Sequence, residues 1–163
     1  MATQLKSLSD FSHTTIPQAA PYRFAIVTAQ WNAGITGVLY QGAYDLLVKQ
    51  GALPENILSV TVPGSFELTS GADIVLKTKQ VDAVICLGCV IKGDTPHFDF
   101  ICEAVANGIT NVSLKYSIPV IFGVLTTNNE IQAQERAGGR HGNKGEEAAA
   151  TAILMTDLQN NLR

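Results

Sequence analysis

From Ala83 to Ile91 the chain reads Ala-Val-Ile-Cys-Leu-Gly-Cys-Val-Ile, with no charged or strongly polar side chain. A strand with one wet face alternates apolar and polar residues; a run of this kind must be covered on both sides. Its length suits a strand rather than a helix, so 81–91 is expected to be a strand of a parallel sheet enclosed by helices. The remaining pattern agrees. Apolar runs at 24–28, 57–62 and 118–124 read as three further strands. Helical patterns are expected at 36–50, 66–78, 95–116, about 129–136 and 145–162. In the first of these, Leu39, Ala43, Leu46 and Leu47 share one stripe, and Gly51 stops the helix.

Strands alternating with helices imply right-handed crossovers and a three-layer α/β sandwich, with a four-stranded parallel, flavodoxin-like sheet flanked by helices on both faces. Such sheets take ligands beyond the carboxyl ends of their strands. Four segments follow those ends: Gln30-Trp31-Asn32, Pro63-Gly64-Ser65-Phe66-Glu67, Lys92 to His97, and Phe122 to Thr127. Residues 23–163 read as one domain. Residues 1–22, mostly small and polar with Pro17 and Pro21, read as an extended or flexible arm.

The third of these segments carries the most chemistry. In Lys92-Gly93-Asp94-Thr95-Pro96-His97-Phe98-Asp99, Thr95 is placed to cap a helix and Pro96 suits its first position. Unpaired N–H groups and the positive dipole end at such a start favour a phosphate. His97 then sits in the first turn beside the anion, able to take and give protons near neutral pH.

Composition removes some classes of function. A formal net charge of −3 gives no electrostatic reason to expect nucleic acid or an anionic membrane as partner. No apolar run approaches bilayer length, and the first residues lack a secretory apolar region, so a cytoplasmic location is expected. A charged share of only 15% in a chain that is 46% hydrophobic leaves little ordinary surface, which oligomerisation would reconcile with solubility. Cys86 and Cys89 have the spacing of a metal or redox pair, but alternate strand side chains face opposite ways and the thiols should diverge. No second pair completes a metal site, so none is expected. Gly142-Asn143-Lys144-Gly145 lacks the upstream glycine and following hydroxyl of a P-loop.

Taken together, Trp31-Asn32, Pro63-Gly-Ser-Phe-Glu67, Gly93-Asp-Thr-Pro-His97-Phe-Asp99, Glu135-Arg136-Ala-Gly and Gly142-Asn-Lys144-Gly resemble the lumazine synthase family. The resemblance runs from about Phe24 to the C-terminus. It implies a transferase of riboflavin biosynthesis that forms 6,7-dimethyl-8-ribityllumazine at the penultimate step. The family condenses 5-amino-6-(D-ribitylamino)uracil with 3,4-dihydroxy-2-butanone 4-phosphate, releasing phosphate and water, without cofactor or metal. The alternative is a riboflavin-binding or shell-forming paralogue that lacks catalysis. The resemblance also implies a homopentamer with sites between subunits, pentamers assembled into an icosahedral shell, and association with riboflavin synthase.

Carried over residue by residue, the resemblance makes His97 the proton-transfer residue; the bare alternative, the lesser of the two, is a helix-start histidine bonded to a neighbouring backbone group. Trp31 matches the position stacking on the pyrimidine, where a bare reading gives core packing as readily. Asn32, Ser65 and Glu67 match the ribityl-binding positions, though Ser and Asn also favour turns. Phe66 belongs to the same segment and is expected to anchor the second helix in the core. Val90 and Ile91 resemble the backbone contacts to the pyrimidine edge. Phosphate falls to Asp94, Thr95 and Arg136, whose bare alternative is a solvated helix residue. Phe122 and the Arg136-to-Lys144 region come from the neighbouring subunit in the family. Lys144 neutralises charge there, and Glu147 pairs with it or with Arg136. Lys92 stands where the family commonly has arginine. Asp99 either polarises His97 or simply favours the helix's positive end.

Overall fold

The computed structural model describes residues 9–11 and 15–162. Four parallel strands, β1 (Phe24–Ala29), β2 (Ile57–Val62), β3 (Ala83–Ile91) and β4 (Val120–Thr127), form a sheet in the order β2-β1-β3-β4. The register is unbroken, from Phe24 beside Ile57 on one side of β1 to Ile91 beside Thr127 across β3 and β4. Strand β3 is central, and its first seven residues are buried, as its continuous apolar character requires.

Helices α1 (Ala33–Lys49) and α5 (Lys144–Asn161) cover one face of the sheet, α2 (Leu68–Thr78) and α3 (His97–Tyr116) the other. Between α1/α5 and the sheet lie Phe24, Ile26, Ile85, Leu87, Leu39, Leu47 and Ile153. Between α2/α3 and the sheet lie Ala25, Val27, Val84, Cys86, Leu68, Val75, Val105 and Ile109. Strand residues alternate strictly between the two lists, which is the period-two geometry of a pleated strand. Cys86 faces α2 and α3 whereas Cys89 faces α1 and α5, so the two thiols diverge as expected. Burial pushes the Cys86 thiol up to about 12; burial, with the nearby Glu130 carboxylate, takes Cys89 to about 11. Neither is a nucleophile near neutral pH.

The observed boundaries differ from expectation where local signals mislead. Helix α1 starts three residues early, because Asn32 adopts a left-handed conformation (φ 62°, ψ 44°) and its carbonyl accepts from the Ile35 and Thr36 amides. Helix α2 starts at Leu68 rather than residue 66. Strand β4 runs on to Thr127, held by β3 to the end. After α4 (Glu130–Arg136), a hairpin of β5 (Ala137–Gly139) and β6 (Gly142–Asn143) stands where only a turn was expected. Gly138 and Gly142 take positive φ (90° and 84°), a conformation glycine adopts without penalty.

Of the leading arm, residues 1–8 and 12–14 lie outside the described residues. Part of the rest is docked rather than free: Ala19 is fully buried and its amide donates to the Gln50 carbonyl (2.8 Å). Ser9 is joined to Asn143. Among the described residues no helix is long and apolar enough to cross a membrane.

Candidate active site

The carboxyl ends of β1, β2 and β3 open into a cavity of about 680 Å³ lined by Trp31, Asn32, Gly64, Ser65, Phe66, Glu67, Cys89, Val90, Ile91, His97 and Ile101. Topology alone explains the gathering, since each strand ends at the same edge and its following loop must turn there. The Gln30 amide donates to the Val62 carbonyl and the Trp31 amide to that of Pro63, so the β1 and β2 loops stay paired beyond the sheet. Trp31 is thereby held out of the core, 74% exposed, with its ring available to a planar ligand. Asn32 fixes the floor: its side-chain amide donates to the Cys89 carbonyl at 3.0 Å.

In the second loop, the expectation that Phe66 anchors α2 in the core is not met. Phe66 is 55% exposed at the cavity, and the buried anchor is Leu68, the first residue of the helix. The loop makes two tight turns, with Glu67 and Leu68 amides donating to Gly64 and Ser65 carbonyls, which swings Phe66 outward. Ser65 is buried and its hydroxyl has no hydrogen-bond partner. It fits because Gly88 has no side chain: a Cβ there would lie 2.6 Å from Ser65 Oγ. A buried hydroxyl without a partner beside a cavity is a polar group whose donor and acceptor remain unused.

His97 is the first residue of α3, exposed and on the cavity wall. Thr95 does not cap this helix. The cap position is Pro96 (φ −67°, ψ 2°), and no side chain bonds there. The Pro96 carbonyl takes the first contacts, from the Asp99 and Phe100 amides (3.0 and 3.4 Å), so the helix begins one residue later than a Thr95 cap requires. The amides of His97 and Phe98 still lack intrahelical acceptors, so the electropositive end persists one residue on. Lys92, Asp94, Thr95 and Asp99 are all exposed and line no part of this cavity.

Arg136 and Lys144 lie elsewhere. With Val124 to Thr127, Gln132, Glu135, Arg140 and His141 they line a separate cavity of about 700 Å³ at the end of β4. Arg136 grips Glu147 with both terminal nitrogens (2.9 and 3.3 Å) and also donates to the His141 carbonyl (2.9 Å). Lys144 Nζ reaches the same carboxylate at 3.2 Å. Thus Glu147 pairs with both cations, not one. All three side chains are largely shielded from water, where a forked charge-assisted pair is well oriented. Phe122, half-buried on edge strand β4, lines neither cavity.

Ile101 and Gly88 escaped the sequence reading. Ile101 stands four residues after His97, hence on the same helical face, and that spacing is a usable signal. Nothing local marks Gly88, whose role depends on a side chain 23 residues away in sequence.

A sequence profile of the family described as 6,7-dimethyl-8-ribityllumazine synthase matches residues 21–160. The chain is 53% identical to the 6,7-dimethyl-8-ribityllumazine synthase of Parabacteroides distasonis, over 97% of this chain and 99% of that one. It is 56% identical to the protein of the same name from Cytophaga hutchinsonii, over 95% of this chain and 97% of the relative. For that of Phocaeicola vulgatus the identity is 51%, over 100% and 97%. With a profile spanning the sheet, both cavities and all five helices, and relatives matched end to end, this chain belongs to the 6,7-dimethyl-8-ribityllumazine synthase family.

Proposed function

We propose that the chain catalyses the condensation of 5-amino-6-(D-ribitylamino)uracil with 3,4-dihydroxy-2-butanone 4-phosphate. The products are 6,7-dimethyl-8-ribityllumazine, phosphate and water. The observation that carries this reading is the meeting of an exposed tryptophan, an unpaired buried serine hydroxyl and a helix-start histidine in one cavity. It is supported by end-to-end kinship with proteins named for that product.

The ring of Trp31, with Phe66 at the rim, covers the flat pyrimidine, whose edge meets the backbone at Val90 and Ile91. Ser65, Glu67 and the carbonyl oxygen of the Asn32 side chain serve the ribityl hydroxyls. The amine attacks the ketone, and loss of water gives an imine. Removal of a proton from the adjacent carbon then lets the C–O bond to phosphate break, with the electron pair leaving on the phosphate oxygen. The second nitrogen closes the ring with loss of another water. Each stage moves a proton, and His97 is the residue positioned to carry it. Holding two substrates in one orientation supplies much of the remaining acceleration.

Phosphate is held best where cations join the helix-start amides, and among the described residues no lysine or arginine lines the aromatic cavity. We infer that Arg136 and Lys144 of a neighbouring copy complete it, facing the first amides of α3 and the Asp94-Thr95 turn, with Phe122 contributed from the same side. Lys92 adds to the positive field, and Asp99 favours the helix's positive end rather than touching the imidazole. A pentamer built this way makes assembly obligatory for activity. The short connection from Gly138 to Asn143 suits further assembly of pentamers into a shell. Cytoplasmic location and association with riboflavin synthase complete the proposal.

Incubating the purified protein with both substrates tests it directly. The expected result is a fluorescent lumazine product with phosphate released in equal amount. Phosphate release at the uncatalysed rate, with riboflavin still bound, would replace the enzyme by a flavin-binding paralogue. Light scattering separates monomer, pentamer and shell; an active monomer would refute a site shared between copies.

A further inference from the structure

We propose that Asn143 is a positioning residue for Arg136 and Lys144, seated in a socket that α1 forms at Val38 and Gly42. This rests on the reading that those two cations receive the substrate phosphate. Asn143 is 6% exposed, and both ends of its side chain are used. Its Nδ2 donates to the Val38 carbonyl at 3.0 Å, and its Oδ1 accepts from the Gly145 amide at 2.8 Å, capping α5. A mid-helix carbonyl has a second lone pair beyond its helical bond, and Asn143 takes it.

Gly42 makes that approach possible. It lies one turn beyond Val38 on the same face, and a Cβ there would stand 2.4 Å from Asn143 Nδ2 and 2.6 Å from Cγ. By contrast, Cβ atoms at Gly34 and Gly37 of the same helix would meet nothing within 4 Å. A glycine inside a helix costs about 1 kcal/mol relative to alanine, and at Gly42 the return for that cost is visible. Ser9 holds the backbone from the other side: the Asn143 amide donates to its hydroxyl (2.7 Å), which donates back to the Asn143 carbonyl (3.1 Å).

The link to the cations is the hairpin. Asn143 pairs with Ala137 in the β5–β6 register. Arg136 immediately precedes Ala137 and Lys144 immediately follows Asn143, so both cations hang from one rung. Glu147 then ties their ends together. Moving that rung displaces both together, whereas Trp31 and Ser65 stay on their own loops and His97 on α3. Misplacing a binding group by about 1 Å can cost on the order of 100-fold.

Two substitutions separate this role from simple helix capping. Gly42→Ala keeps the Asn143 side chain but fills the socket, its Cβ falling 2.9 Å from the capping Oδ1 as well. Asn143→Ser keeps a capping oxygen for Gly145 but cannot bridge to Val38. Steady-state kinetics on the full chain are read with each substrate varied in turn, alongside the dissociation constant for inorganic phosphate. Each variant is expected to raise KM for the phosphorylated ketone ~10–100-fold, and to weaken inorganic phosphate in parallel. KM for the pyrimidine amine should stay within about twofold, since its contacts lie on other loops.

Because both changes act on one socket, the double variant should lose no more than Asn143→Ser alone. Unchanged phosphate affinity in either single variant overturns the proposal, as do equal rises in both KM values or additive losses. Should Gly42→Ala not fold, Asn143→Ser decides alone. If the parent itself shows no turnover, the functional reading fails, while the dissociation constants for phosphate still judge the socket.

Discussion

Replacing Gly145 by alanine sets two principles against each other at one atom. Gly145 lies in the first turn of α5, where alanine is the better helix former by about 1 kcal/mol. On local grounds the change should stabilise. In the fold, however, the new Cβ would lie 1.8 Å from the Leu39 carbonyl oxygen and 2.7 Å from its carbon. A carbon and a carbonyl oxygen tolerate about 3.3 Å, so α5 must retreat from α1 by roughly 1.5 Å. A gap of about 1 Å already forfeits up to about half of the dispersion energy of the atoms lining it. The seam affected holds Leu39, Ala43, Ala148, Ala149, Ala152 and Ile153, all buried. Because the obstacle is backbone, no rotamer change relieves it. Overpacking typically costs ~1–3 kcal/mol and occasionally more; with immovable backbone as the obstacle the upper end, ~3–5 kcal/mol, is expected, leaving a net loss of ~2–4 kcal/mol after the propensity gain. Urea unfolding at one fixed protein concentration measures it, so that any self-association weighs equally on parent and variant. In a thermal scan the same loss lowers Tm by ~4–16 °C. A midpoint equal to the parent's, or higher, would refute the close seating of α5 on α1.

Other outcomes follow from single residues. His97→Ala should lower kcat by about 10²–10⁴-fold while a non-reacting ribityl-pyrimidine analogue binds within a few-fold of the parent; equal losses in both would make the imidazole structural. Asp73 accepts from Lys115 and Tyr116 and pairs with Lys77; these partners hold its carboxyl well below the usual carboxylate range. A depressed folded value stabilises above the unfolded carboxylate range and is lost as pH falls through the folded value. Asp73→Asn should therefore lower stability at pH 7, with the difference from the parent vanishing in strong acid; a difference constant with pH would refute this. Of the three thiols, half-buried Cys102 should react first with a disulfide reagent in the native protein, with Cys86 and Cys89 following only in denaturant. Fast labelling of all three without denaturant would contradict the packing of β3.

The sheet was legible because an unbroken apolar strand has only one comfortable environment, and Ala83 to Ile91 has that character throughout. Alternation of strands and helices then dictates where loops converge, which brings Trp31, Ser65, Glu67 and His97 to one edge. Local chemistry misled where two signals competed. Thr95 and Pro96 both suit a helix start, and the turn at Pro96 prevailed. Phe66 is apolar enough for a core that Leu68 already fills.

What the linear order of residues determined by itself was periodicity: which segments are strands, which are helices, and which loops share an edge. What only the folded chain decided was every relation between distant residues. The division of Arg136 and Lys144 from His97 into separate cavities belongs there, as do the close approaches at Gly42, Gly88 and Gly145. Periodicity is written in neighbours a few positions apart, where side-chain direction repeats with the backbone. Contact across the sheet or between helices depends on rigid-body packing to within fractions of an ångström, and no short window of sequence encodes that distance.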